Sequence, residues 1–385
     1  MPNFGTSTTA VKYQTKALQK FFMRSMYVDV VNDNFEAQNV SDPKMKKKVD
    51  KKFKEFVVTT LTGGGWKSTA GTGTITYTKV TEVISRLIVN TFLEIADEID
   101  SVASFASAVE DPNSDIIDQA AQALYEEMDQ SLVNFYADAA SGNWLGTSYA
   151  TGTVAITATT GAVVGTNTVF AAGMVGKPFK AAGHTKWYRV KTFTDSTNIV
   201  IENDSDDLTS AYDGGAISAG ATYEIQANTK LAITELNFKY YLDVLSSMLS
   251  SRKVPNDGKR WLALPEMAAK PILLKATELN PSIKEVFDET VVKGKVAKAS
   301  GFDLYFLPDD WFTGDNTTGF YCVGGHKSFI TGAFGYIENL SVIPAEQNPN
   351  GHSDLIKGLF GHGEKVADER RKAGVCLFAN FALSS

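Results

Sequence analysis

The chain has 385 residues, 43% of them apolar and 21% charged, and a net charge of −7. Its length exceeds what a single hydrophobic core usually serves, so two or three folded units are expected. The acidic balance excludes a protein that grips nucleic acid with its whole surface, the apolar content excludes a disordered chain, and two cysteines exclude a disulfide framework.

Residues 1–42 are polar and weakly periodic and read as an extended arm, with one strand expected at 27–31. The beginning of this arm has no apolar signal-peptide core, and no stretch of the chain reaches the ~18 apolar residues of a membrane span. A soluble protein made in a reducing cytosol, with no membrane partner, is therefore expected. Residues 43–56 predict an amphipathic helix opened by Pro43, where a missing N–H is harmless. Met45, Val49, Phe53 and Phe56 share one face of it, a stripe that must dock on something. The other face carries seven lysines between Lys44 and Lys54. Such a face is either simply solvated or turned to an acidic partner such as DNA, a neighbouring subunit or an assembly chaperone.

Residues 61–83 are rich in Gly and Thr and then alternate through Thr74-Ile75-Thr76-Tyr77-Thr78. They predict a long exposed β-hairpin whose side chains, Trp66, Lys67 and Tyr77 among them, cannot all be buried at home. The glycines at 63–65 with Lys67 and Ser68 do not make a phosphate loop, because Trp66 stands where that motif needs Gly before Lys. A strand is expected at 86–95. The clearest helix is 115–139, where Ile117, Ala121, Leu124, Met128, Ser131 and Phe135 follow four/three spacing. At about 1.5 Å per residue it would span nearly 40 Å.

Residues 151–228 change character. They hold thirteen Thr and nine Gly in 78 residues, and no charge occurs between Ala139 and Gly176. Strands are expected at 187–193, 199–201 and 223–225, with turn clusters at 182–184, 195–198 and 213–215. Short strands so punctuated predict a small all-β sandwich or barrel, inserted between two helical segments, 115–139 and 229–252. Beyond it come a strand at 260–264, a helix from Pro265 that Pro271 should kink or restart, strands at 302–308 and 318–324, a helix or turn at 326–332, and a buried strand at 374–381. The fold class is α+β, without regular βαβ order.

Chemistry-bearing residues are sparse. His184, His326, His352 and His362 lie in no zinc-binding helix and beside no nucleophile elbow. Glu202, Asp204, Asp206 and Asp207 begin like a calcium loop, but Thr209 stands where that loop requires Gly, so an acidic turn is expected. Asp309 and Asp310 are adjacent on a loop and point apart. Cys322 and Cys376 sit in apolar runs and read as buried thiols. No catalytic residue, metal ligand or cofactor site is expected.

The order of these pieces carries a resemblance. A polar arm, a Gly/Thr-rich hairpin and a long helix lead to RWLALPEMAAKPILLKA at 260–276, then to VAKASGFDLYFLPDD at 296–310, and finally to KVADERRKAGVCLFANFA at 365–382. This series resembles the major capsid proteins of tailed bacteriophages, whose fold is shared with the herpesvirus capsid floor and with encapsulin shells. The resemblance covers the chain outside the insert. It implies an N-terminal arm at 1–60, an extended E-loop at 61–85 and a peripheral domain at 86–150 with 115–139 as its spine helix. The insert at 151–228 follows, then 229–260 as continued peripheral domain, 261–373 as mainly axial domain, and 374–385 as the last strand of the body. The stretches 152–170 and 186–202 resemble small β-domains of phage structural proteins. The implied function is a virion shell: hexamers and pentamers in an icosahedral head around double-stranded DNA held by non-specific contacts. Neighbouring subunits are its partners, with scaffolding, portal and decoration proteins as further ones. Met45, Val49, Phe53, Phe56, Trp66, Lys67 and Tyr77 are the implied assembly contacts. An encapsulin-like compartment, or a surface-binding protein using the Thr-rich domain, are the alternatives.

Overall fold

The computed structural model describes residues 25–32, 55–62, 81–100, 112–204, 211–279, 295–343 and 353–384. In chain order, α1 (Tyr27–Val30) is a single turn, β1 (Glu55–Thr62) and β2 (Thr81–Ile88) form a ribbon, and β3 (Thr91–Asp100) precedes α2 (Pro112–Val133). Then come β4 (Trp144–Leu145), β5 (Thr147–Tyr149), β6 (Thr153–Ile156), β7 (Ala162–Thr166), β8 (Pro178–Ala181), β9 (Tyr188–Asp195), β10 (Asn198–Asn203), β11 (Ile217–Ala221), β12 (Tyr223–Thr229) and β13 (Leu231–Ile233). The remainder is α3 (Phe238–Ser251), β14 (Arg260–Pro265), α4 (Glu266–Leu279), β15 (Lys295–Ala299), β16 (Phe302–Leu307), β17 (Phe320–His326), β18 (Thr331–Ile343), β19 (Ser353–Lys365) and β20 (Gly374–Phe381). The fold is α+β, with sheet predominating.

The chain divides into two compact units, one of residues 1–23, 31–128 and 330–369, the other of 24–30, 129–329 and 370–385. In the first, β18, β19 and β3 form a three-stranded antiparallel sheet in that order. β19 meets β3 over ten consecutive pairs, from Ser353 opposite Asp100 to His362 opposite Thr91. β1 and β2 make a separate two-stranded sheet, and Leu87 and Val89 bury with Ala333. The strand expected at 86–95 is thus two strands. Exposed Asn90 separates them, and each half pairs in a different sheet.

The second unit is built on a mixed seven-stranded sheet, ordered β13-β20-β17-β14-β16-β15, with β4 beside β20. β14 is buried at every position and β20 at all but one, as a run without polar alternation requires for strands covered on both faces. Gly324 lets β17 lie close on β14, since a Cβ there would meet the Trp261 carbonyl at 2.9 Å. α3 turns Phe238, Leu242, Leu245 and Leu249 inward at four/three spacing. Its C-terminal end is closed by buried Arg260, which donates to the carbonyls of Ser246, Val254 and Pro255 at 3.1, 2.6 and 2.8 Å. α4 runs through Pro271 without interruption.

Residues 151–228 are all-β, but in one continuous open sheet where a sandwich or barrel was expected. Eight antiparallel strands, ordered β11-β6-β7-β10-β9-β8-β12-β5 and including β5 just before residue 151, pack on a core that includes Val154, Ile156, Phe179, Val190, Ile201 and Ile225.

Three further expectations are corrected. Residues 27–30 are helical where a strand was expected, because Asp129 takes the amides that open the turn. The helix expected over 229–252 gives up its first turn to β13, which pairs in parallel with β20. The helix expected at 115–139 begins at Pro112 and ends at Val133, its last part tightening to a 3₁₀ helix at Asn134–Asp138.

Candidate assembly interface

Of the seven expected contact residues, Met45, Val49, Phe53, Trp66, Lys67 and Tyr77 lie outside the described residues, as do Asp206, Asp207 and His352. Phe56 is described, and it does not end a helix. It is a β1 residue, in register with Leu87 of β2. The run Val57-Val58-Thr59-Thr60 explains this, since β-branched side chains are stiff in a helix and suit a pleated strand. The ribbon is unbroken over eight pairs, from Glu55 opposite Ile88 to Thr62 opposite Thr81. Among the described residues no third strand joins it.

A second surface lies at one end of α3 and α4. Glu235 accepts the Ser384 amide at 3.0 Å and the Ser384 hydroxyl, and Lys275 is close enough to act on its charge. These contacts bring together the flanking residues Leu236, Leu274 and Leu383, which are 73%, 50% and 56% exposed. Tyr240, one turn along α3, and Met267, two turns back along α4, are exposed as well.

The insert is clamped to the body by buried charge. Asp204 receives Arg189 from the insert and Arg371 from the body, the latter at 2.8 Å, together with the Ser141 hydroxyl and amide. Burial pushes its carboxyl upward, but the two guanidiniums and Ser141 outweigh this and hold it below the usual carboxylate range. Arg371 also donates to the Asp138 carbonyl at 3.0 Å, and Arg189 lies over the Trp144 ring at 5.3 Å. On the other side Lys177 donates to the carbonyls of Ala227 and Asn228 at 2.7 and 2.9 Å, with its ammonium 4.7 Å from the centre of the Phe378 ring. Burial pulls the Lys177 ammonium down to about 8. Ala227 is left-handed, with φ +47°, and Gly146 makes room for it: a Cβ on Gly146 would meet the Ala227 Cα at 2.6 Å.

The acidic turn expected at Glu202–Asp207 therefore contains an anchor. Sequence reasoning missed this role, as it missed Lys177, because each acts on a residue far away in the chain. The one available signal is Asp204 at the end of a β-hairpin strand with Arg189 on the strand before it.

The other chemistry-bearing residues serve the fold. His184 accepts the Ala181 amide on Nδ1 and meets the Tyr212 hydroxyl at 2.9 Å through Nε2. His326 meets Asp257 at 3.1 Å, and His362 meets Glu364 at 2.8 Å. Asp309 accepts the Met267 amide at 2.9 Å and so caps α4 from another loop. Cys322 and Cys376 are free and buried, and burial raises both thiols. Among the described residues no three metal-ligating side chains converge, and no helix is long and apolar enough to cross a membrane.

No protein-family profile and no curated protein matches the chain. Among solved structures it is similar to one from Mycobacterium phage Che8, at 12% identity and a TM-score of 0.44, over 92% of this chain and 91% of that one. The capsid of the cyanophage P-SCSP1u is 10% identical, with a TM-score of 0.47 over 86% and 85% of the two chains. The capsid of Ralstonia phage GP4 is 10% identical, with a TM-score of 0.46 over 86% and 84%.

Proposed function

We propose that this chain is the major capsid protein of a tailed bacteriophage, a structural protein that self-assembles as hexamers and pentamers of an icosahedral head around double-stranded DNA. The observation that supports it most is the β1–β2 ribbon. Eight pairs in two strands are marginal in water, and although Leu87 near the base of the ribbon buries with Ala333, its far end calls for a further surface to lie on. A neighbouring copy supplies one, and burial of ~2,000 Å² or more per obligate interface would offset the ordering of ribbon and arm. In this reading residues 55–88 are the E-loop with its stem, the residues before them the N-terminal arm, α2 the spine helix, and the β14–β17 region the axial domain. The apolar end of α3 and α4 is a further contact with neighbouring subunits. A net charge of −7 suits a wall that touches packaged DNA without holding it. Scaffolding, portal and decoration proteins would be its other partners, and the role requires no catalytic group or cofactor.

Negative-stain electron microscopy of the expressed protein tests this directly. Closed shells or rings of five and six subunits are expected. A protein that stays monomeric under every assembly condition would overturn the proposal.

A further inference from the structure

One carboxyl fastens residues 25–27. Asp129 in α2 is fully buried, and it accepts the Ser25 hydroxyl at 2.6 Å, the Met26 amide at 3.0 Å and the Tyr27 amide at 3.0 Å. These amides open α1 and have no intrahelical acceptor. All three donors are neutral. Another carboxylate, Asp29, repels its charge.

The charged groups around the following turn are engaged with other partners. Asp29, Lys259, Arg260, Asp303, Tyr305 and Lys327 line a cavity of about 300 Å³ beside Asp29 and Val30. Lys327 donates to the Val28 carbonyl at 3.0 Å, and Arg260 is committed to the end of α3. Lys259 pairs with Asp257, and Asp303 pairs with Lys298. Tyr305 reaches Asp29 at 3.4 Å. On the helix of Asp129 the flanking Gln130 and Glu126 are exposed.

We propose that the contact between Asp129 and residues 25–27 is a proton-dependent latch, closed most tightly when the Asp129 carboxyl is protonated and loosened when it ionises. The Ser25 hydroxyl makes this workable. It donates to a carboxylate and accepts from a carboxylic acid, so protonation reverses that bond without breaking it. Ionisation instead leaves a buried negative charge that no cation among the described residues pairs with, a costly arrangement. Burial accordingly drives the Asp129 carboxyl up to about 7. A carboxyl raised in the docked state makes docking strongest below the free value near 4. Docking then weakens as pH rises and levels off above about 7. The latch is independent of the shell reading, because it concerns how the chain holds its own residues.

Hydrogen exchange on the full chain, followed by mass spectrometry and corrected for intrinsic rates, tests it. Protection of the amides at 26–30 should fall by about tenfold per pH unit from pH 5 to 7 and then level off. Asp129→Asn should flatten this profile. Ser25→Ala removes a donor that favours the ionised form, so it should move the levelling-off to higher pH while the fold persists. A flat wild-type profile, an unchanged slope in Asp129→Asn, or a levelling-off that Ser25→Ala leaves in place would each overturn the latch.

Discussion

At the residue scale, the insert's attachment depends on charges that have left water. Asp204 balances Arg189 and Arg371, and removing its charge strands two guanidiniums in a buried place. Asp204→Asn should therefore cost about 3 kcal/mol in urea unfolding, well beyond a surface ion pair. Substituting the exposed pair Lys186–Asp213 should change little by the same measurement. His184 gives a pH signature inside the insert. Burial, then Lys180, lowers its pKa, so its contribution to stability is full above the ordinary value near 6.5 and is lost as pH falls through the lower folded value. The insert should thus unfold more easily in mild acid. Replacing His184 by Gln should remove that dependence in melting curves recorded from pH 5 to 8.

At the element scale, the ribbon and the helices were legible to different degrees. The Gly/Thr-rich stretch announced a hairpin, and its paired stem is β1 with β2, beginning at Glu55, inside what periodicity suggested was a helix. Met45, Val49, Phe53 and Phe56 fit a helical face, but Phe56 also opens a β-branched run, and cross-strand pairing decided its state. β13 is a similar case. Leu231, Ala232 and Ile233 continue a helical pattern, yet the edge of β20 recruits them as a strand. Short apolar runs do not reveal which partner will claim them. If the ribbon serves assembly, replacing residues 63–80 by a tight Asn-Gly turn should leave the melting temperature of the monomer within a few degrees. Shell formation, read by light scattering, should be lost.

At the scale of the whole molecule, the insert belongs to the same compact unit as the mixed sheet, and buried charge and cation–π contact join the two. It is therefore fastened to the mixed sheet of its own unit. Excising residues 151–228 should destabilise what remains, because Arg371 would lose Asp204 as its ionic partner. Adding Arg371→Met to the excised protein should restore part of the loss in thermal unfolding, since an apolar side chain of similar length needs no ionic partner.

The sequence by itself determined the α+β class, the all-β character of 151–228, the strand at 260–264, the buried strand at 374–381, and a helix over most of α2. These depend on local patterns: alternation, four/three spacing, unbroken apolar runs and turn chemistry. Only the tertiary structure decided that residues 27–30 curl into a helical turn, that one predicted strand serves two sheets, and that Asp129, Lys177 and Asp204 are fastening points. These outcomes rest on partners remote in the chain, such as Asp129 for Ser25, Ala227 for Lys177 or Arg371 for Asp204, each 50 or more residues away. A polar side chain's role is set by whether water is removed from around it and by what replaces that water, and both are properties of the folded arrangement.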